Sequence, residues 1–121
     1  MKSVAHSYAA AALSCVEKAG ARPKAEEYGR LCHIFPSMVL VNGLRLTVAY
    51  FRSKAAKEKI YEIFLRDLGL ALEVPDWNTG IPESMADYRE LTGRALKACV
   101  WFKRYAEAVL RIEQTHEHGD F

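Results

Sequence analysis

With 121 residues, 50% of them hydrophobic and 26% charged, the chain can bury one core without disulfide or metal staples, and its composition excludes a disordered polar segment. A formal net charge of +2 is too small to mark a nucleic-acid binder by bulk charge, so any such case rests on where the cations fall. Three cysteines without a CxxC pair, and no apolar run of membrane-spanning length, exclude a zinc ribbon, a disulfide framework and a transmembrane helix.

The first predicted helix runs from Ser3 to about Ala19. Val4, Tyr8, Ala12, Cys15 and Ala19 form one apolar stripe, and Gly20 stands where a helix would end. Its four consecutive alanines allow close approach of neighbouring helices. The segment is a poor signal peptide, because His6 and Ser7 interrupt the apolar run and Glu17 and Lys18 follow it. The expected location is the cytoplasm, and Cys15, Cys32 and Cys99 are expected to be reduced core residues.

A second helix is predicted from about Lys24 to Phe35, with Tyr28, Leu31, Cys32 and Phe35 inward. Pro36 is expected to end it and to open a central helix over Phe35–Lys54, on which Leu40, Leu44, Val48 and Phe51 share one face. Asn42-Gly43 inside that stretch is also a strong hairpin-turn signal. The helical period of the other long segments favours helix, which makes Asn42-Gly43 a mid-helix pair whose glycine costs about 1 kcal/mol and requires a reason such as close packing.

A further helix is expected over Ala56–Leu72, carrying Ile60, Ile63, Phe64, Leu68 and Leu72, with Ser53 a candidate cap and the break before it not legible. Glu73–Ser84 holds two prolines and a glycine without period and reads as the one long loop, with Trp77 a plug on the bundle. Ser84 and Asp87 form a variant capping box. It opens the longest helix, predicted to reach about Thr115 along a stripe of Tyr88, Leu91, Ala95, Cys99, Phe102, Tyr105, Val109 and Ile112. The fold class is therefore all-α: a single-domain bundle of about five helices over residues 1–121 with a long C-terminal helix.

Two basic groups are candidates for contact with nucleic acid. On the last helix Arg94, Lys97, Trp101, Arg104, Ala108 and Arg111 step by three and four, a basic ridge with an aromatic in its middle. Between the central helix and its successor lie Arg45, Arg52, Lys54, Lys57 and Lys59, diluted only by Glu58. The bland alternative for both is a solvated helix surface. Neither a phosphate loop nor a nucleophile elbow is present. His116 and His118 with Glu117 are too few ligands for a metal site, and no cofactor is expected.

The run Leu31, Pro36, Asn42-Gly43-Leu44, Ala49-Tyr50-Phe51 and Lys54, followed by Tyr88, Leu91, Thr92 and Trp101 on the long helix, resembles the small helical subunit of the type III-B CRISPR effector, the Cmr complex. The resemblance implies a non-catalytic protein stacked in several copies along the guide-RNA-bearing backbone, lining the channel for target RNA in antiviral defence. Its implied partners are a large polymerase-type subunit, a repeated backbone subunit, copies of itself, and guide and target RNA. It favours Arg45, Arg52, Lys54, Lys57, Arg94, Lys97, Trp101 and Arg104 as RNA-facing residues, chosen by charge placement and not by a motif. Two other functions compete. Arg111 and His116, in RIEQTH, resemble the Arg-x4-His signature of HEPN ribonucleases, although Ile112 stands where that signature usually has a polar residue. The third reading is a helical adaptor with no nucleic-acid contact.

Overall fold

The computed structural model describes residues 3–111, which form five α-helices and a terminal π turn: α1 (Val4–Gly20), α2 (Ala25–Asn42), α3 (Leu44–Ala55), α4 (Lys59–Leu72), α5 (Met85–Tyr105) and the π turn Ala106–Leu110. Among the described residues there is no strand, and no helix is long and apolar enough to cross a membrane. The expected all-α bundle is the observed one.

Local chemistry sets several of the ends. The Ser3 hydroxyl accepts from the His6 amide (3.1 Å) and opens α1, and the Ser84 hydroxyl accepts from the Asp87 amide (3.1 Å) and opens α5. Glu73, in the left-handed conformation (φ 61°), closes α4. The Glu73–Ser84 loop folds back on α4. There the Trp77 ring is buried and its indole N–H donates to the Leu65 carbonyl at 2.8 Å, which makes it the expected plug. Gly69 permits this approach, because a Cβ at that position would meet the Val74 carbonyl oxygen at 2.5 Å.

The expected central helix over Phe35–Lys54 is not a single element. Residue 36 lies inside α2, and the break falls at Gly43. Proline in a helix interior forfeits one backbone hydrogen bond, and the fold accepts that loss because Pro36 is buried against the core side of α2. Gly43 has φ 87° and ψ 162°, a region essentially closed to residues with a Cβ. Its N–H donates to the Val39 carbonyl (2.8 Å), ending α2, and its carbonyl accepts from the Thr47 amide (3.2 Å) and hydroxyl (2.8 Å), starting α3. The turn signal of Asn42-Gly43 is thus realised as a sharp helix-to-helix corner. Leu44, Val48 and Phe51 are core as expected, whereas Leu40 is 74% exposed. Gly43→Ala is expected to cost about 1–3 kcal/mol, read as a lowered midpoint in urea unfolding. A change below about 0.5 kcal/mol would place the strain elsewhere.

Ser53 is not a helix cap either. Its hydroxyl donates to the Tyr50 carbonyl within α3, and α4 begins after Glu58. The expected start at Ala56 is therefore three residues early. At the other end α5 gives way at Ala106, and Ala106 rather than Tyr105 or Val109 continues the core stripe. A π turn accommodates five residues where an α turn has fewer, so side chains beyond it leave the α-helical register.

The core is centred on rings. Phe64 lies within 6 Å, centroid to centroid, of Tyr28, Phe35, Phe51 and Phe102, drawn from α2, α3 and α5. A buried polar pair crosses it, the Tyr28 hydroxyl donating to the Asp67 carboxylate at 2.8 Å. Burial is the main cause holding the Tyr28 hydroxyl protonated far above its usual range, with Cys32 and Asp67 reinforcing it. His33, also buried, meets the Gly29 carbonyl through Nδ1 (3.1 Å) and the Glu107 carboxylate through Nε2 (2.9 Å), which ties the π turn to α2. All three cysteines are free and buried, as expected. Burial pushes the Cys15 thiol up to about 11 and Cys99 to about 12, and Cys32 moves the same way. Such thiols are poor nucleophiles at neutral pH.

Candidate nucleic-acid interface

The α5 ridge owes its placement to the core stripe beside it. Leu91, Ala95, Ala98, Cys99 and Phe102 turn one side of α5 inward, and at 3.6 residues per turn Lys97, Trp101 and Arg104 then fall on an outer flank. Lys97 and Arg104 are exposed, and Trp101 is half-buried. The Arg104 guanidinium sits 5.2 Å from the centroid of the Trp101 ring, and Tyr105 stacks on the same ring at 6.2 Å and 29°. The result is a cation and two rings locked together by cation–π and stacking contacts, with Lys97 one turn before them.

Arg94 is placed differently from its ridge neighbours. Its Nε donates to the Tyr8 hydroxyl (3.1 Å) and its Nη2 to the Leu72 carbonyl (2.7 Å), so the guanidinium joins α5 to α1 and satisfies the last turn of α4. Its charge still adds to the local field, but its donors are engaged in the fold.

The second cluster is similarly divided. Arg45 is structural in its contacts: Nη2 donates to the Pro82 carbonyl (2.9 Å), the guanidinium lies 5.1 Å from the Tyr88 ring centroid, and the Arg45 amide donates to the Tyr88 hydroxyl (2.9 Å). That hydroxyl satisfies an amide in the first turn of α3 which no side chain of α3 reaches. Lys54 pairs with Glu58 at 3.3 Å and lies 5.8 Å from the Tyr61 ring, and its hydrogen bond to Glu58 raises its pKa. Arg52 and Lys57 are exposed and make no hydrogen bond or ion pair among the described residues. Arg52 lies at a groove beside Arg66, Glu62, Glu73 and Asp76, where acids outnumber bases, so no anion site forms around it.

Arg45 reaches α5 on a different flank from the ridge. Arg45 meets α5 at Tyr88, six residues before Arg94, and six residues at about 100° each bring the two positions to about 120° apart around the helix. The structure thus brings Lys97, Trp101 and Arg104 together and places Arg45 on another side of α5, while Lys54 pairs with Glu58 and Arg52 lines the groove along α4. Tyr105, which completes the α5 platform, escaped the sequence reading because the expected core stripe claimed it. Its i,i+4 spacing from Trp101 is the signal that could have found it. Arg111 caps the π turn with φ 61°, off the regular ridge, and His116 lies outside the described residues. No group of three His, Cys, Asp or Glu side chains suited to a metal ion occurs among the described residues.

The family model for the CRISPR-associated protein Cas_Cmr5 matches residues 4–109. The chain belongs to the CRISPR-associated Cmr5 family. The resemblance to the small helical subunit of the type III-B effector, read from the sequence, is thereby established. The fold is similar to the crystal structure of a CRISPR-associated Cmr5 family protein from Thermus thermophilus, with a TM-score of 0.84 at 24% identity over 91% of this chain and 99% of that one. A search of curated proteins finds no match. The α5 flank and the α2–α3 corner both fall within the residues that define the Cmr5 family match.

Proposed function

We propose that this Cmr5 family chain is a non-catalytic, cytoplasmic small subunit of a type III-B RNA-guided effector, present in several copies along its backbone beside the large polymerase-type and repeated backbone subunits. Its α5 flank lines the path of the target RNA. The observation that carries this reading is the Lys97, Trp101, Arg104 and Tyr105 group, two exposed cations around a stacked aromatic pair on one side of one helix. Cations meet phosphates without regard to sequence, and a ring offers every base a stacking surface. Such a surface suits a machine in which base pairing with a guide carries the specificity and protein holds the backbone. Arg52 and Lys57 add positive field on another flank, while Arg45, Lys54 and Arg94 support the surface mainly by fixing the helices that carry it.

Fluorescence anisotropy of a labelled single-stranded RNA with the purified chain tests the reading. Weak binding that falls with salt is expected, with a slope of log K against log salt of about −1.4 for two phosphate contacts at about −0.7 each. Binding that is absent at low salt would favour the adaptor reading, and binding that ignores salt would exclude the cationic flank.

A further inference from the structure

We propose that the π turn Ala106–Leu110 is one of two registers built into the end of α5, and that release into the α register brings Arg111 onto the RNA flank as a third cation beside Lys97 and Arg104. The RNA-facing reading of that flank is the premise, and Arg111 is the residue added to it. A π turn inserts one residue into an α-helix, and such turns occur mostly at functional positions.

The side chains fit both registers. Counted at about 100° per residue from Phe102, Val109 returns to within about 20° of the core direction and Leu110 lies about 80° from it. The structure shows the reverse: Leu110 packs against the core, and Val109 is 40% exposed. The extra residue of the π turn makes that exchange. Val109 and Leu110 border one hollow of about 530 Å³ together with Gly20, Ala21 and Ala25, and these small residues leave room for either side chain to turn inward. Gly20 accommodates the present one, since a Cβ there would lie 3.1 Å from the Leu110 Cδ2.

The same exchange decides where Arg111 points. In an unbroken α-helix the seven residues from Arg104 to Arg111 turn through about 700°, which brings Arg111 within about 20° of Arg104, the same step that separates Arg104 from Lys97. In the π register Arg111 loses that alignment and adopts φ 61°, a left-handed conformation that a Cβ disfavours. The α register returns it to right-handed backbone. Glu107, one turn before Arg111, has its carboxylate engaged on α2 by His33 Nε2 at 2.9 Å, so it is occupied elsewhere when the cation is added. Leu110 against Gly20, and His33 with Glu107, hold the resting register. A phosphate that meets Arg111 only in the α register biases the equilibrium by that contact alone, so the isolated wild-type chain stays in the π register until the turn is weakened.

Methyl-labelled protein with a soluble paramagnetic agent reads the register by NMR, and the salt slope of single-stranded RNA binding by fluorescence anisotropy reads the contact. Leu110→Ala removes the side chain that favours the π turn. It is expected to protect the Val109 methyls from the agent and to steepen the slope of log K against log salt from about −1.4 to about −2.1, three contacts at about −0.7 each. Gly20→Ala, whose Cβ crowds Leu110, is expected to move both readouts in the same direction. Adding Arg111→Ala to Leu110→Ala is expected to keep Val109 protected and to return the slope to about −1.4. Val109→Ala, which weakens only the α register, is expected to leave the Leu110 methyls protected and the slope at the wild-type value. Circular dichroism melts check that each variant is folded. Val109 methyls that stay exposed in both Leu110→Ala and Gly20→Ala would overturn the two registers. A slope that fails to steepen while Val109 is protected, or that stays steep with Arg111→Ala, would overturn the role of Arg111. Absence of RNA binding by every form, wild type included, would defeat the RNA-facing reading and the role of Arg111 with it, while the methyl data still decide the register.

Discussion

Phe64→Ala is expected to lower the unfolding free energy by about 3–5 kcal/mol, a large fraction of the roughly 5–15 kcal/mol that holds a domain of this size together. Phe64 is fully buried and is the one ring that touches Tyr28 and Phe35 of α2, Phe51 of α3 and Phe102 of α5. Truncation removes about four edge or tilted ring contacts, and leaves a cavity that helices pinned by Gly43, Tyr88 and Arg94 cannot readily close. Leu40→Ala, on an exposed side chain that the sequence placed in the core, is expected to stay within about 0.5 kcal/mol. Urea unfolding followed by circular dichroism separates the two. A cost below about 1 kcal/mol for Phe64→Ala would mean that the aromatic centre is not where the helices join.

Lys97→Glu combined with Arg104→Glu is expected to lower retention of target RNA by the assembled complex at low salt and to flatten its salt dependence, since two cations that release counterions on meeting phosphate become two anions that repel it. Both side chains are exposed, and the melting temperature should barely move. Trp101→Ala should weaken retention without altering its salt slope, because stacking releases no counterions. Arg94→Ala is a different experiment. It strands the Leu72 carbonyl and the Tyr8 hydroxyl, so about 1–3 kcal/mol of stability is lost before RNA is involved. Retention of RNA by the double reversal at the wild-type level would remove the α5 flank from the target path.

The contrast between Arg94 and Lys97 shows what could be read from the sequence and what could not. Elements whose cause is local were legible: the 3.6-residue stripes, the Ser84 cap, the free cysteines, and the loop that carries Trp77. Features whose partners lie far along the chain were not. Arg94 finds Tyr8 and Leu72, Arg45 finds Tyr88 and Pro82, and His33 finds Glu107, and nothing in the spacing of the sequence announces these pairings. The central helix failed for a subtler reason. Proline and Asn-Gly were both break signals within eight residues, and the chain could bury Pro36 inside α2 but could not bend without the positive φ of Gly43. Placing the break at the wrong signal put Leu40 in the core and hid the exposed corner. Whether Arg45 and the α5 ridge share one face could not be read either, because angular separation around α5 is invisible in one dimension.

The most direct measurement is capture of the tagged chain from its native cells at low salt, with mass spectrometry of the recovered polypeptides and sequencing of the recovered RNA. Recovery with a large polymerase-type subunit, a repeated backbone subunit and short guide RNAs is the predicted result. Recovery of the chain alone, or with polypeptides and no guide RNA, would contradict its assignment as a subunit of an RNA-guided effector.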